Sequence, residues 1–339
     1  MSLRLSSLTV VIPNFNHGHV IGGQLGSVFS QSVQPERVIV FDDASTDDSV
    51  ARIEELVSSR QNVEFVRMNK NSGPVALINE GLRRASTEYV CFLAADDITL
   101  PGFFAKSLAM LNQYPSAALC SAVSYVKHGA EATTWPEWIQ YPSQTSIYIS
   151  PTRALELLRK FENWMVIPVY RRSMLQEMGG FDPRLRNFAD GFLYRVLALR
   201  HGACFVPEIL TEMHLSDSGY SMSDAHSEER SSEIFVYSSA LMKTQFSELF
   251  PADLIARNNA RMMYRLLVLK LNNLQRSTRE LVASAQPMAG GALVLVVISW
   301  GLRVLRVALF LVLRIRDTSE RVRLKFGRKM PPPPQEDGR

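Results

Sequence analysis

The chain has 339 residues, 46% of them hydrophobic and 21% charged, which is enough for one large domain with an appendage and a sizeable core. Its net charge is only +4, and residues 301–330 hold nine Lys or Arg against Asp317 and Glu320, leaving 28 basic and 31 acidic groups elsewhere. The basic excess belongs to the tail, so no nucleic-acid partner is expected for the main domain.

In chain order, short β-branched or apolar runs predict strands at Leu8 to Ile12, Arg37 to Phe41, Val63 to Met68, Tyr89 to Leu93 and Ala117 to Val123. Helix-length segments separate them at about residues 20–31, 47–59, 74–86 and 102–113. The alternation predicts an α/β fold built on a doubly wound, mostly parallel sheet. Asp47-Asp48 and Pro74 are helix starts, through N-terminal acid and the fixed proline φ. Residues 130–150, with Trp135, Trp138 and Tyr141, read as a long loop. A helix follows at about 151–162, then the GGFDPRL turn, a helix beginning at ADGFLYRV, and helix from about 228 to 283.

Cys91, Cys120 and Cys204 sit far apart among apolar neighbours, a pattern of neither a disulfide framework nor a zinc site. They are expected as buried thiols in a reduced compartment. A first strand beginning by Leu8 leaves no room for a secretory signal, and cytoplasmic residence is expected.

Two of the predicted strands end abruptly in acid: VIVFDDASTD at 38–47 and YVCFLAADD at 89–97. In open parallel sheets the C-terminal strand edge is where ligands bind. Hard oxygen ligands there suit Mg²⁺ or Mn²⁺ carrying a phosphate. Adjacent carboxylates such as Asp96 and Asp97 repel unless a cation or donor offsets them.

These runs, with VVIPNFN, the N-x-G-x-x-x-x-x-N-x-G pattern from Asn71 to Gly81 and GGFDPRLRNFADGFLYRVLALRHG, resemble the family 2 glycosyltransferases over about residues 8–220. The resemblance implies a GT-A fold, a nucleotide-sugar donor (UDP first), a Mn²⁺ or Mg²⁺ cofactor, and single-displacement transfer with inversion. It places Pro13, Phe15 and Asn16 beside the nucleotide base, where an aromatic face supplies stacking. Asp42 and Asp43 would read the base or ribose, with Asp43 first, and Asn79 would lie at the nucleotide. Asp97 would hold the metal, Asp96 the ribose or metal, and His214 the metal or diphosphate. Asp190 would be the general base.

This sequence departs from the family pattern at Ala94, at Ile78 and at Ala189. Local readings stand beside the functional ones: helix capping for Asp42 through Asp48 and for Asp190, and packing beneath the site for Asn79. Lys70 and Lys106 are candidate charges for the nucleotide, and the three tryptophans Trp135, Trp138 and Trp164 for an acceptor saccharide. A nucleotidyltransferase is one alternative, though PNFNHGHVIGG lacks its basic glycine-rich loop. A noncatalytic scaffold that binds sugar nucleotides is another.

The expected organisation is a catalytic domain at 1–227, a helical extension at 228–285, a membrane-associating and basic segment at 286–330, and a disordered end at 331–339. AGGALVLVVISWGL at 289–302 is apolar but shorter than the roughly 20 residues that span a bilayer. Arg303, Arg306 and Arg314 fall on one side of a helix, and RVRLKFGRK follows. That pattern predicts an interfacial helix on the anionic inner leaflet, presenting the enzyme to a saccharide or lipid-linked acceptor. A marginal span, or a dimerisation helix making a homo-oligomer, is the alternative.

Overall fold

The structure, a computed structural model, describes residues 7–128, 132–134, 142–160, 165–215, 220, 224 and 226–284. Its strands are β1 Leu8–Asn14, β2 Arg37–Asp42, β3 Val63–Arg67, β4 Tyr89–Phe92, β5 Ile98–Thr99, β6 Leu119–His128, β7 Ala132–Thr134, β8 Ile147–Ile149, β9 Val169–Arg171 and β10 Ala203–Leu215. Its helices are α1 Ile21–Phe29, α2 Ser49–Val57, α3 Pro74–Arg84, α4 Phe103–Gln113, α5 Pro151–Lys160, α6 Arg172–Glu177, α7 Ala189–His201, α8 Glu228–Lys243 and α9 Ala252–Ser284.

The strands form one mixed sheet in the order β3-β2-β1-β4-β9-β6-β10-β5, with β7 against β6 and β8 against β10. β1 runs parallel to β2 and β4, and β2 parallel to β3. The chain steps outward from β1 to β3 and then returns to β4 on the other side, which makes the C-terminal edge between β1 and β4 a switch point. β9 is antiparallel to both β4 and β6, and β10 is parallel to β6. Two reversals cancel, so β6 and β10 end at the same edge as β1, β2 and β4.

Alternation along the strands sends side chains to two cores. Val10, Ile12, Val38 and Val40 meet α1, α2 and α4 through Leu25, Ile53 and Phe104. Val11, Ile39 and Phe41 share the other face with residues of α3, α5 and α7. Both faces are covered, as the predicted doubly wound sheet requires. The three cysteines are buried thiols, pushed up from their ordinary range by burial.

α7 is buried along nearly its whole length. It passes into β10 through Gly202, whose φ is 82° and whose position leaves no room for a Cβ: one would lie 2.6 Å from the Ile149 carbonyl and the Tyr148 hydroxyl. This one-residue connection makes α7 antiparallel to β10. The start of α7, with Asp190, therefore lies at the edge where β10 ends.

The structure departs from the predicted elements in several places, among them the short strands β5 and β9, which were not predicted. The strand predicted to stop at Val123 continues to His128, and β7 and β8 occupy parts of the predicted loop. β10 was not predicted, because Pro207 and register shifts between Val206 and Thr211 interrupt its alternation. The helix expected across 228–283 is broken between α8 and α9, where Pro251 cannot continue a helix and Phe246 and Phe250 turn inward. Phe192 of α7 packs on both rings, at 5.7 and 5.9 Å between centroids. The helical extension expected as a separate unit thus shares its core with the sheet. Among the described residues no helix is long and apolar enough to cross a membrane. The apolar and basic tail from 286 onward, Trp135, Trp138 and Trp164 lie outside the described residues.

Candidate active site

The first wall of the site is the end of β1 tied to the loop after β2. Asn14 and Asp42 are register partners at their strand ends, and the Asn14 Nδ2 donates to Asp42 Oδ2 at 2.9 Å. Asp42 Oδ1 accepts the Ser45 N–H at 2.9 Å, and the Ser45 hydroxyl accepts the Asn16 N–H at 2.9 Å. Asn16 returns the tie, its Oδ1 accepting the Thr46 N–H at 2.8 Å. Asn16 and Ala44 hold φ values of 56° and 62°. Left-handed backbone at two non-glycine residues is sustained only where surroundings fix it, and such strain gathers at functional sites. Pro13 is the next-to-last residue of β1, beside Asn14 of this network, and Phe15 just beyond the strand is 41% exposed. That open ring face is what a stacking role requires.

Asp43 is buried, and its two oxygens accept the N–H groups of Ser72 and Gly73, each at 2.8 Å. It fastens the loop that opens α3 to this first wall. The later acids serve the start of α2 instead: Asp47 accepts the Ser49 and Gly18 N–H groups, and Asp48, at the N-cap position, makes no capping hydrogen bond and pairs with Arg52. Asn79, expected at the nucleotide, has both ends of its amide on the backbone of Phe181. The packing reading is the one that the geometry favours for Asn79. Lys106 is turned away to Glu208, and Lys70 is exposed.

The second wall is the Asp96-Asp97 turn after β4. Asp96 is half-buried and Asp97 is 6% exposed. Burial, then the neighbouring Asp96 charge and Glu212, push the Asp97 carboxyl well above the usual range, offset in part by the His214 N–H donating at 3.1 Å. β5 and β10 set this meeting, since Ile98 is the register partner of Glu212. The His214 ring does not converge on the carboxylates as a ligand. Its Nδ1 faces the Asp96 carbonyl at 2.5 Å and its Nε2 faces Glu212 at 2.8 Å, because alternation along β10 places Glu212 on its own side. Lys127 on β6 pairs with the same Glu212 oxygen. Glu212 escaped the sequence reading together with β10, the alternation of TEMHL being its signal, and Lys127 lies in the part of β6 beyond Val123 that was not predicted.

Among the described residues no three His, Cys or acidic side chains gather as a metal site. The two carboxylates nevertheless fit a hard divalent cation whose remaining ligands are donor oxygens. They are acidic, adjacent and poorly hydrated, and a cation would relieve their repulsion.

Asp190 completes the edge. It is the second residue of α7, with Phe188 at the N-cap, so it does not cap the helix. Its Oδ1 accepts the adjacent Gly191 N–H, at 2.5 Å. The carboxylate is reachable by solvent yet ringed by protein atoms, and this loss of hydration raises its pKa above the ordinary value. Arg195 pulls the other way; its guanidinium donates to the Gly191 carbonyl at 2.9 Å and lies 4.9 Å from the Phe188 ring centre. A carboxylate of this kind is suited to accepting a proton.

Comparison with known proteins identifies the family and the fold. The profile of Glycosyl transferase family 2 matches residues 9–179, half of the chain. The uncharacterized glycosyltransferase YwdF of Bacillus subtilis (strain 168) is 26% identical over 215 residues, covering 62% of this chain and 75% of that protein. The GalNAc(5)-diNAcBac-PP-undecaprenol beta-1,3-glucosyltransferase of Campylobacter jejuni is 30% identical over 110 residues, covering 32% of this chain and 36% of that protein. In fold, the chain is similar to Staphylococcus aureus TarS 1-349 in complex with UDP-GlcNAc, with a TM-score of 0.60 and 16% identity over 76% of this chain and 72% of that one. It is also similar to the mannosyltransferase PcManGT of Pyrobaculum calidifontis in complex with GDP-Man and Mn²⁺, with a TM-score of 0.53 and 16% identity over 94% and 87% of the two chains. The mixed α/β sheet is the GT-A fold that the motifs implied, and the chain belongs to glycosyl transferase family 2 as a glycosyltransferase.

Proposed function

We propose that this enzyme transfers a sugar from a nucleoside diphosphate donor, UDP-linked in the first instance, to a saccharide or lipid-linked acceptor of the cell envelope, with inversion at the anomeric carbon. The observation that carries the reading is the gathering of Asp43, Asp96, Asp97 and Asp190 at one sheet edge. Phe15 would stack on the base, and the Asn14–Asp42–Ser45 network with Asp43 would shape the nucleotide wall. Asp96 and Asp97 would hold Mn²⁺ or Mg²⁺, which when bound neutralises charge on the leaving diphosphate. Asp190 would take the proton of the acceptor hydroxyl as the new bond forms to the anomeric carbon. On the opposite face the bond to the diphosphate oxygen breaks, and the nucleotide leaves with the electron pair. His214 would order the Asp96-Asp97 turn through the Asp96 carbonyl.

Relatives support the donor and acceptor classes: a family relative is a glucosyltransferase named for an undecaprenol diphosphate substrate, and two structural neighbours hold sugar nucleotides. The tail from 286 would attach the enzyme to the inner leaflet. Thermal shift with UDP, GDP, UDP-glucose, UDP-GlcNAc and GDP-mannose, each with and without Mn²⁺, tests the donor reading, followed by nucleotide release for the best binder. Mn²⁺-dependent stabilisation by a uridine nucleotide is expected. Stabilisation by none of the five would overturn it, and a guanosine preference would reassign the base.

A further inference from the structure

The turn that launches α7 is held by a residue far away in sequence. In the 3-10 turn Pro183–Phe188, Arg186 leaves helical space at φ 51°, ψ −123°. A side-chain-bearing residue adopts that conformation only when surroundings over-determine it. The determinant is Asp224. Arg186 Nε donates to Asp224 Oδ2 at 3.0 Å and Nη2 donates to Oδ1 at 2.9 Å, a two-point fork. Arg230 on α8 adds its Nη1 to Oδ1 at 3.1 Å.

Asp224 has no exposed surface, whereas the Arg186 and Arg230 side chains are 37% and 46% exposed. The fixed member of the trio is therefore the carboxylate. Its backbone is anchored too: the Asp224 carbonyl accepts the Ser227 N–H at 3.1 Å and the Ser231 hydroxyl at 3.3 Å, both at the start of α8. A planar guanidinium bonded at two points has a set direction, unlike a lysine pair. Arg186 lies two residues before the N-cap of α7 and four before Asp190. Its backbone conformation decides the direction in which the chain enters the helix.

We propose that Asp224 is a positioning residue for Asp190: through its fork to Arg186 it fixes the turn that orients the first turn of α7, and so aligns the base without touching substrate. The inference rests on Asp190 acting as the general base. Five variants test it: Asp224→Ala, Arg186→Gly, Asp190→Asn, the double variant Asp224→Ala/Asp190→Asn, and Arg200→Ala at the far end of α7 as a control. Arg186→Gly keeps access to positive φ while removing the fork, so it remains informative if Asp224→Ala folds poorly. The donor is whichever of UDP-glucose, UDP-GlcNAc and GDP-mannose the wild type turns over fastest.

In Asp224→Ala and Arg186→Gly, kcat is expected to fall about 10- to 100-fold, the scale of a base displaced by an ångström. Donor KM and the calorimetric affinity for the matching nucleoside diphosphate should stay near wild type, a split that general loosening of the fold does not give. Arg200→Ala should match wild type, and Asp224→Ala should cost nothing further in the Asp190→Asn background. Wild-type kcat in Arg186→Gly and Asp224→Ala beside a slow Asp190→Asn overturns the positioning role alone. Parallel losses of donor affinity and kcat overturn it as well. A wild-type rate in Asp190→Asn overturns the base and, with it, the clamp.

Discussion

Asn79 and Phe181 are joined at both ends of one side-chain amide: the Asn79 Nδ2 donates to the Phe181 carbonyl at 2.7 Å, and its Oδ1 accepts the Phe181 N–H at 2.9 Å. Asn79 lies on α3, which also stands on the Asp43-bound loop, while Phe181 lies in the turn leading towards Asp190. The pair links the Asp43 side of the sheet edge to the Asp190 side. The fit is close, since a Cβ on Gly180, whose φ is 80°, would lie 2.6 Å from Asn79 Oδ1.

Asn79→Ala is accordingly expected to destabilise the fold by about 2–4 kcal/mol, the scale of two lost hydrogen bonds with a backbone pair left short of partners. Asn79→Asp keeps the acceptor but sets a carboxylate oxygen against the Phe181 carbonyl, and should be at least as destabilising at pH 7. Urea unfolding of the three proteins measures this. A midpoint for Asn79→Ala equal to wild type would remove the amide bridge from the account.

Asp97→Ala is expected to abolish the Mn²⁺ dependence of UDP binding. Two carboxylates and a diphosphate repel one another without a cation between them. Calorimetry of UDP with wild type and variant, each with Mn²⁺ and with chelator, gives four affinities, of which only wild type with Mn²⁺ should be tight. Four equal values would sink the metal assignment.

Asp190→Asn should leave nucleotide affinity near wild type while lowering transfer by roughly 10²-fold or more, the scale of a lost general base. The amide preserves shape but cannot take a proton. Wild-type turnover would leave Asp190 with no catalytic part.

The same variant has a stability signature. Asp190 titrates above its ordinary 3.8 in the folded protein because the protein atoms packed around the carboxylate strip hydration from its charged form. Below pH 3.8 the carboxyl is neutral in both states and costs nothing. As pH rises through the unfolded and then the folded pKa, the penalty develops, and it is complete above the folded value. Asp190→Asn should therefore raise Tm relative to wild type at pH 7, with the gain shrinking as pH falls towards 3.8. A constant difference across that range would contradict the loss of hydration at the carboxylate.

Truncation after Gln286 leaves every described element whole, because α9 ends at Ser284. The shortened protein is expected to bind nucleotide and to lose membrane association. High salt or carbonate should release the full-length protein at least in part, since headgroup attraction is screened within a Debye length. A full-length protein wholly in the soluble fraction would refute the membrane role. A truncated protein unable to bind UDP would place the tail within the catalytic fold.

The sequence by itself determined β1 to β4 and the helices between them, because β1, β2 and β4 are buried on both faces and read as nearly unbroken apolar runs. It also determined which acids end those strands, and Asp190 as a carboxylate at the start of a helix, since those signals are local. Which groups each acid meets was decided only by the tertiary structure. Asp42 bonds Asn14 28 positions away in the chain, Asn79 bonds Phe181 across 102 and Asp97 meets His214 across 117, and no local pattern encodes partners so distant. β10 was hidden for a related reason: its proline and irregular register are tolerated through pairing with β5, β6 and β8, and pairing is a property of the folded sheet. The raised pKa values of Asp97 and Asp190 likewise arise from desolvation, which exists only once the chain has closed around them.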